Sequence, residues 1–214
     1  MDNTVELIGY YGSDEIIACS AWTSTSRELA EEKKKRIPEL LNKLWNDGHE
    51  TPFEKGVVHF LVNCDVASHI HLLKHRISSL NAESARYKEL KEDKYYIPED
   101  LYEVWLTDDL YIFDDDIPFT KGSQSWGHVL EEFSVQTNIL YHLAIKDLEN
   151  QLGKKRAKES ARYFKMYNSQ IQSDVSFNMR SFANFLNLRM SLHAQIEIQE
   201  IASKMLDLVR QTGK

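Results

Sequence analysis

A chain of 214 residues has room for one domain with a sizeable core, and a second full domain would be cramped. A formal charge of −7 argues against generic binding to nucleic acid or to an anionic membrane, because proteins that do so recruit their partners with a basic face. Only two cysteines, Cys19 and Cys64, far apart and without metal-like spacing, suggest a reducing compartment and no disulfide framework, and no apolar run approaches the roughly 20 residues that span a bilayer, so the expectation is one soluble cytoplasmic domain over residues 1–214.

Residues 4–10, TVELIGY, alternate in the manner of a strand. Gly12-Ser13-Asp14 then supplies a turn before the apolar run 16–19, giving a hairpin or a strand-to-helix entry. Ser24 stands ahead of residues 27–35, where it suits a helix N-cap. Between Arg36 and Gly48 the apolar Leu40, Leu41, Leu44 and Trp45 recur at helical spacing, with Pro38 in the first turn and Gly48 at the C′ position. The hexapeptide His49-Glu50-Thr51-Pro52-Phe53-Glu54 follows as a loop in which proline bars helix. Residues 57–64, VVHFLVNC, read as a buried strand, and Asp65 can cap a helix through Val66, Ile70 and Leu73.

Residues 72–90, LLKHRISSLNAESARYKEL, set four cations against Glu83 and Glu89, with His75 and three serines interleaved. A net positive, hydroxyl-rich stretch in an acidic protein suits a bound phosphate, since an arginine fork matches its oxygens in pairs and hydroxyls complete the shell; an exposed, charged helix face is the other reading. Residues 99–122 are acidic and aromatic. Asp108, Asp109, Asp114, Asp115 and Asp116 fall there without the spacing of a metal loop, and the expectation is a solvated loop and no metal site. A long helix through Trp126, Val129, Phe133, Leu140, Leu143, Ala144 and Leu148 ends near Gly153, and a second runs through Ala157, Ala161 and Phe164, carrying Arg162. Arg180 and Asn184 are four apart and share a helix face, while Arg189 lies half a turn round and is expected to face a different group. A last amphipathic helix passes Ile198, Ile201, Met205 and Leu208.

Three of these stretches together resemble the flavin-dependent thymidylate synthases. Lys74-His75-Arg76, seven residues and Ser84, with Arg86-Tyr87 beyond, is similar to the family's Arg-His-Arg signature that ends Ser-x-Arg-Tyr. The hexapeptide 49–54, about 25 residues earlier, is similar to its His-x-Ser/Thr-Pro-Phe-Glu. Asn178-x-Arg180-(x)3-Asn184-(x)4-Arg189-(x)3-His193 matches a third stretch at every polar position, with Arg162 lying 16 residues ahead of Asn178 as in the family. Weaker matches are Ala21-Trp22-Thr23-Ser24 to Ala-Arg-Val-Ser, and Tyr95-Tyr96-Ile97-Pro98 to Phe-Tyr-Ile-Pro. Two positions depart: Lys74 replaces the first arginine of the signature, and Ala82 replaces a glutamate, with Glu83 one place late.

The resemblance implies an α+β fold of long helices around a small, mainly antiparallel sheet, and a homotetramer with sites shared between subunits. It implies methylation of dUMP to dTMP, with methylene-tetrahydrofolate as carbon donor and NADPH as reductant through FAD. Arg189 would be catalytic, stabilising the uracil ring as its N3 proton is lost. His71, Lys74, Ser84, Ala85, Arg86, Arg162 and Arg189 would bind the nucleotide. Ser24, Thr51, Glu54, Lys74, His75, Arg76, Asn178, Arg180, Asn184 and His193 would bind FAD. No local context activates either cysteine as a nucleophile. Because lysine offers a point charge where arginine offers a fork, the departures also admit another pyrimidine nucleotide, UMP or dCMP, or a non-catalytic nucleotide-binding relative.

Overall fold

The computed structural model describes residues 1–26, 28–111 and 119–213. Arg27, Asp114, Asp115 and Asp116 therefore lie outside the described residues. Strand β1 (Thr4–Tyr11) leads through Gly12 into helix α1 (Asp14–Ala21), whose N-cap Ser13 accepts from the Ile16 N–H. The turn is thus a strand-to-helix entry. Gly12 has φ 102°, and a Cβ there would stand 2.9 Å from Gly56 Cα, so dihedral and close approach both require glycine.

Ser24 closes a single 3-10 turn, Trp22–Ser24, and helix α2 (Glu31–Lys35) starts behind Ala30, so Ser24 is not its cap. Helix α3 (Ile37–Asn46) carries Pro38 in its first turn and is followed by Gly48 in the left-handed region at φ 74°. A 3-10 segment, Thr51–Lys55, then enters strand β2 (Val57–Asp65), where Val58, Phe60, Val62 and Cys64 are buried at alternate positions. In helix α4 (Val66–Leu73) the first N–H groups, of Val66 and Ala67, go to the Ser169 and Tyr167 carbonyls at 3.1 Å.

Beyond α4 the basic stretch is no continuous helix. The His75 N–H closes a turn on the Leu72 carbonyl, and strand β3 (Ser79–Ala82) follows. Helix α5 (Trp126–Leu152) opens with Ser125 and His128 paired at 2.9 Å and stops at Gly153. Helix α6 (Lys154–Ala161) ends just before Arg162, which begins a 3-10 turn. Strand β4 (Gln170–Asn178), helix α7 (Met179–Arg189) and helix α8 (Ile196–Gln211) complete the chain.

The four strands form one sheet in the order β1-β2-β4-β3. β1 and β2 are antiparallel with an irregularity between Leu7 and Gly9, and β3 pairs antiparallel with β4 from Ser79 opposite Ser176 to Ala82 opposite Ser173. Helices around a small, mainly antiparallel sheet make this the expected α+β class.

Two compact units are distinguished. The first comprises Asn3–Asn63, Ser68–Ala82 and Gln172–Lys214. Its core joins Phe60, Phe177, Phe182 and Phe185, with ring centroids 5.3 to 6.3 Å apart, to the α8 stripe Ile198, Ile201, Ala202 and Met205. That stripe has the i, i+3, i+4, i+7 spacing of a one-sided helix. The second comprises Met1–Asp2, Cys64–Ala67 and Glu83–Ile171. Here Tyr141, Ile145 and Ala161 form one apolar cluster and Leu106, Phe119 and Val129 another. Among the described residues no helix is long and apolar enough to cross a membrane, and no group of His, Cys, Asp and Glu is arranged to hold a metal ion.

Candidate functional site

The first unit contains a cleft of about 480 Å³, within the usual range for small-molecule sites. Three segments converge on it. The end of α3 and the 3-10 segment bring Trp45, Glu50 and Glu54; the turn after α4 brings Lys74, His75, Arg76 and Ile77; the length of α7 brings Asn178, Arg180, Ser181, Asn184, Asn187, Leu188 and Arg189. Residues more than 100 positions apart thus share one surface.

Local structure explains each placement. Asn178 is the N-cap of α7, its Oδ1 accepting from the Ser181 N–H at 2.8 Å, which leaves the amide Nδ2 as the group it can offer a ligand. Arg180, in the first turn, donates from Nε to Glu50 Oε2 at 2.7 Å and from Nη1 to Glu54 Oε1 at 2.8 Å. The two carboxylates hold its fork and balance its charge. Arg189, in the last turn, donates from Nε to His75 Nε2 at 3.0 Å and from Nη2 to the His71 carbonyl at 3.5 Å. The half-turn offset from Arg180 gives the two arginines different partners, as expected, although both line the same cleft.

His75 is buried and its ring meets Phe185 edge-on at 4.9 Å. Burial, then the charge on Arg189 and the neighbouring His71, bring its pKa down from 6.5 to about 4. The ring is neutral at physiological pH, and because Nε2 accepts, the proton sits on Nδ1. Lys74 and Arg76 are exposed and have no ion-pair partner among the described residues.

Of the residues singled out in the sequence, Glu54, Lys74, His75, Arg76, Asn178, Arg180, Asn184 and Arg189 line the cleft. Ser24, Thr51, His71 and His193 belong to the same unit but are not among its lining residues. The Ser24 hydroxyl donates to the Ala21 carbonyl, Thr51 opens the 3-10 segment, His71 Nε2 pairs with Gln195 Oε1 at 3.2 Å, and His193 is exposed. Ser84, Ala85, Arg86 and Arg162 belong to the second unit. There Ser84 Oγ accepts from the Arg86 N–H at 3.3 Å, Arg86 Nε donates to Glu159 at 2.5 Å, and Arg162 lies over the Tyr163 ring.

Sequence reasoning passed over Glu50, Trp45, Ile77, Ser181, Asn187 and Leu188. Glu50 was legible in principle: it is the variable position of the 49–54 hexapeptide and an acid four residues before Glu54. Neither cysteine lines the cleft, and burial, then Asp65, pushes the Cys64 thiol up to about 12.

A family model described as thymidylate synthase complementing protein matches residues 6–212. The flavin-dependent thymidylate synthase of Pseudothermotoga lettingae is 32% identical over 198 residues, 92% of this chain and 80% of that protein. That of Thermotoga neapolitana is 31% identical over 210 residues, 97% of this chain and 85% of that protein. In fold, the chain is similar to a solved UMP/dUMP methylase, PolB from Streptomyces cacaoi bound with 5-Br dUMP, with a TM-score of 0.74 at 24% identity, covering 98% of this chain and 90% of that one. With the family model spanning residues 6–212 and these relatives 32% and 31% identical over most of the chain, this chain belongs to the flavin-dependent thymidylate synthases.

Proposed function

We propose that the chain methylates dUMP to dTMP, with methylene-tetrahydrofolate as carbon donor and NADPH as reductant through FAD. The observation that carries the reading is the convergence of Lys74, His75, Arg76, Asn178, Arg180, Asn184 and Arg189 on one cleft. This donor set fits FAD: lysine and arginine suit its diphosphate, and the amides suit the ring carbonyls and nitrogens. When bound, FAD supplies the reducing electron pair that turns a transferred methylene into a methyl group.

The chain's own residues supply placement and field. Arg76 and Lys74 would grip phosphate or ring oxygen, and Asn184 would orient the flavin from the same helix face as Arg180. Arg189 would stabilise the negative charge on the uracil ring as N3 loses its proton, which makes the ring carbon C5 more nucleophilic. Ser84, Ala85 and Arg86, with Arg162 contributed by another subunit, would hold the nucleotide, and Ser24, Thr51, His71 and His193 remain proposed ligand contacts on the family resemblance. The upward-shifted Cys64 thiol, and a cleft lining that includes neither cysteine, favour this route over one that needs a thiol nucleophile. A cytoplasmic homotetramer completes the proposal. Val135, Ile139 and Leu143, exposed at helical spacing along α5, support subunit association.

A second reading, methylation of UMP, is favoured by the departures. Ala82 removes the family's glutamate, and Glu83 is engaged with Lys88 at 2.7 Å, so the neighbouring acid is already partnered. The relative named as a UMP/dUMP methylase supports keeping both nucleotides in the assay.

The test is the visible spectrum of the purified protein with FAD, before and after dUMP, UMP or dCMP. A bound flavin whose absorbance responds to dUMP, followed by dTMP formation on adding methylene-tetrahydrofolate and NADPH, is the expected result. A response to UMP or dCMP alone overturns the dUMP assignment, and a protein that binds no flavin overturns the enzymatic reading.

A further inference from the structure

The two arginines of the cleft are held in opposite ways. Arg180 is gripped by Glu50 and Glu54, and those two carboxylates cancel its charge locally. Arg189 meets only uncharged acceptors among the described residues, the His75 ring nitrogen at 3.0 Å and the His71 carbonyl at 3.5 Å. We propose that His75 is a positioning residue that aims the Arg189 guanidinium into the cleft while leaving its full charge for the ligand; this rests on the thymidylate synthase reading.

The geometry on both sides of His75 fits an orienting role. Its N–H is bonded to the Leu72 carbonyl at 3.1 Å and its own carbonyl accepts from Ser78 Oγ at 2.7 Å, so the backbone is fixed at both ends. Its ring rests edge-on against Phe185, which is fully buried and packs in turn on Phe177 and Phe182. The imidazole direction is therefore set by the aromatic core, and the guanidinium direction is set by the imidazole.

The choice of residue type follows from charge. A carboxylate in the same place would orient Arg189 equally well but neutralise it, as Glu50 and Glu54 do for Arg180. A neutral acceptor orients without neutralising. Burial and the adjacent guanidinium keep the ring neutral, so the acceptor lone pair persists through the physiological range.

Nitrogen-15 NMR of the wild-type protein tests the geometry without requiring turnover. His75 is expected to be neutral with its proton on Nδ1 from about pH 5.5 to 8, and its Nε2 resonance should move when Arg189 is replaced by leucine. A proton on Nε2 overturns the proposal whatever the substrate. Kinetics with dUMP on flavin-loaded protein then separate orientation from charge. His75→Phe should lower kcat roughly 10- to 100-fold, His75→Glu at least as much despite keeping an acceptor, and His75→Gln should recover most of the loss. Equal losses in His75→Gln and His75→Phe, at equal flavin content, overturn it, and that pair decides alone if His75→Glu fails to fold. A wild-type protein that binds flavin but never converts dUMP would instead count against the synthase reading, leaving the NMR result to judge His75.

Discussion

His75 shows how one side chain can serve site and stability together. Its ionisation is displaced from 6.5 to about 4 in the folded chain. The unfolded chain therefore takes up a proton first as the solution is acidified, and the stability held by the neutral ring is complete above pH 6.5 and is lost between 6.5 and about 4. Urea unfolding of the wild type should show this as a fall of order 2 kcal/mol from pH 7 to pH 4.5 attributable to this ring. The same pair of measurements on His75→Gln should show a correspondingly shallower fall, and an unchanged slope would mean that other groups dominate acid unfolding. Glu50 teaches the complementary lesson at this scale. Its place in the hexapeptide was visible in the sequence, but its partner was not, because only the fold brings it within 2.7 Å of Arg180, 130 positions away.

At the scale of elements, glycines separate two kinds of constraint. A Cβ on Gly127, at the start of α5, would meet the Tyr102 ring at 2.6 Å, whereas one on Gly48 after α3 would meet nothing within 4 Å but would sit at φ 74°. Gly127→Ala should cost about 1 to 3 kcal/mol through steric displacement. Gly48→Ala should cost about 1 kcal/mol through backbone strain alone, and Gly48→Asn less, since asparagine tolerates the left-handed region. Chemical denaturation of the three variants checks the order, and a Gly48→Asn protein less stable than Gly48→Ala would refute the backbone account. The helices α3, α5 and α8 were legible because their apolar residues recur with one period and end at glycine or with the amphipathic stripe. β1 and β2 were legible from alternation and β-branched residues. Strand β4 was not, because its buried positions include Gln170 and Ser173, polar residues satisfied only by partners distant in sequence, such as the Ser173 hydroxyl on His69 Nδ1 at 2.8 Å. Strand β3 was masked by the charges around it and pairs only with β4 in the sheet order. The cleft residues were found by motif order and spacing, which carry family resemblance, whereas periodicity and charge alone left the 72–90 stretch open between a phosphate site and a charged helix face.

For the whole molecule, the exposed residues of α5 set the first question about assembly. Val135, Ile139 and Leu143 are each between 39% and 49% exposed in the single chain, an apolar row that water disfavours. Sedimentation of the purified protein should report a tetramer, and Ile139→Glu should shift it toward smaller species. A wild-type monomer at micromolar concentration would remove the shared-site proposal. The cleft has a separate consequence at long range. Four lining cations, Lys74, Arg76, Arg180 and Arg189, stand against two lining carboxylates, on a chain whose formal charge is −7. If the proposed nucleotide binds here, it should be repelled by much of the acidic surface and drawn toward this cleft, so that added salt slows its capture before it weakens the bound state.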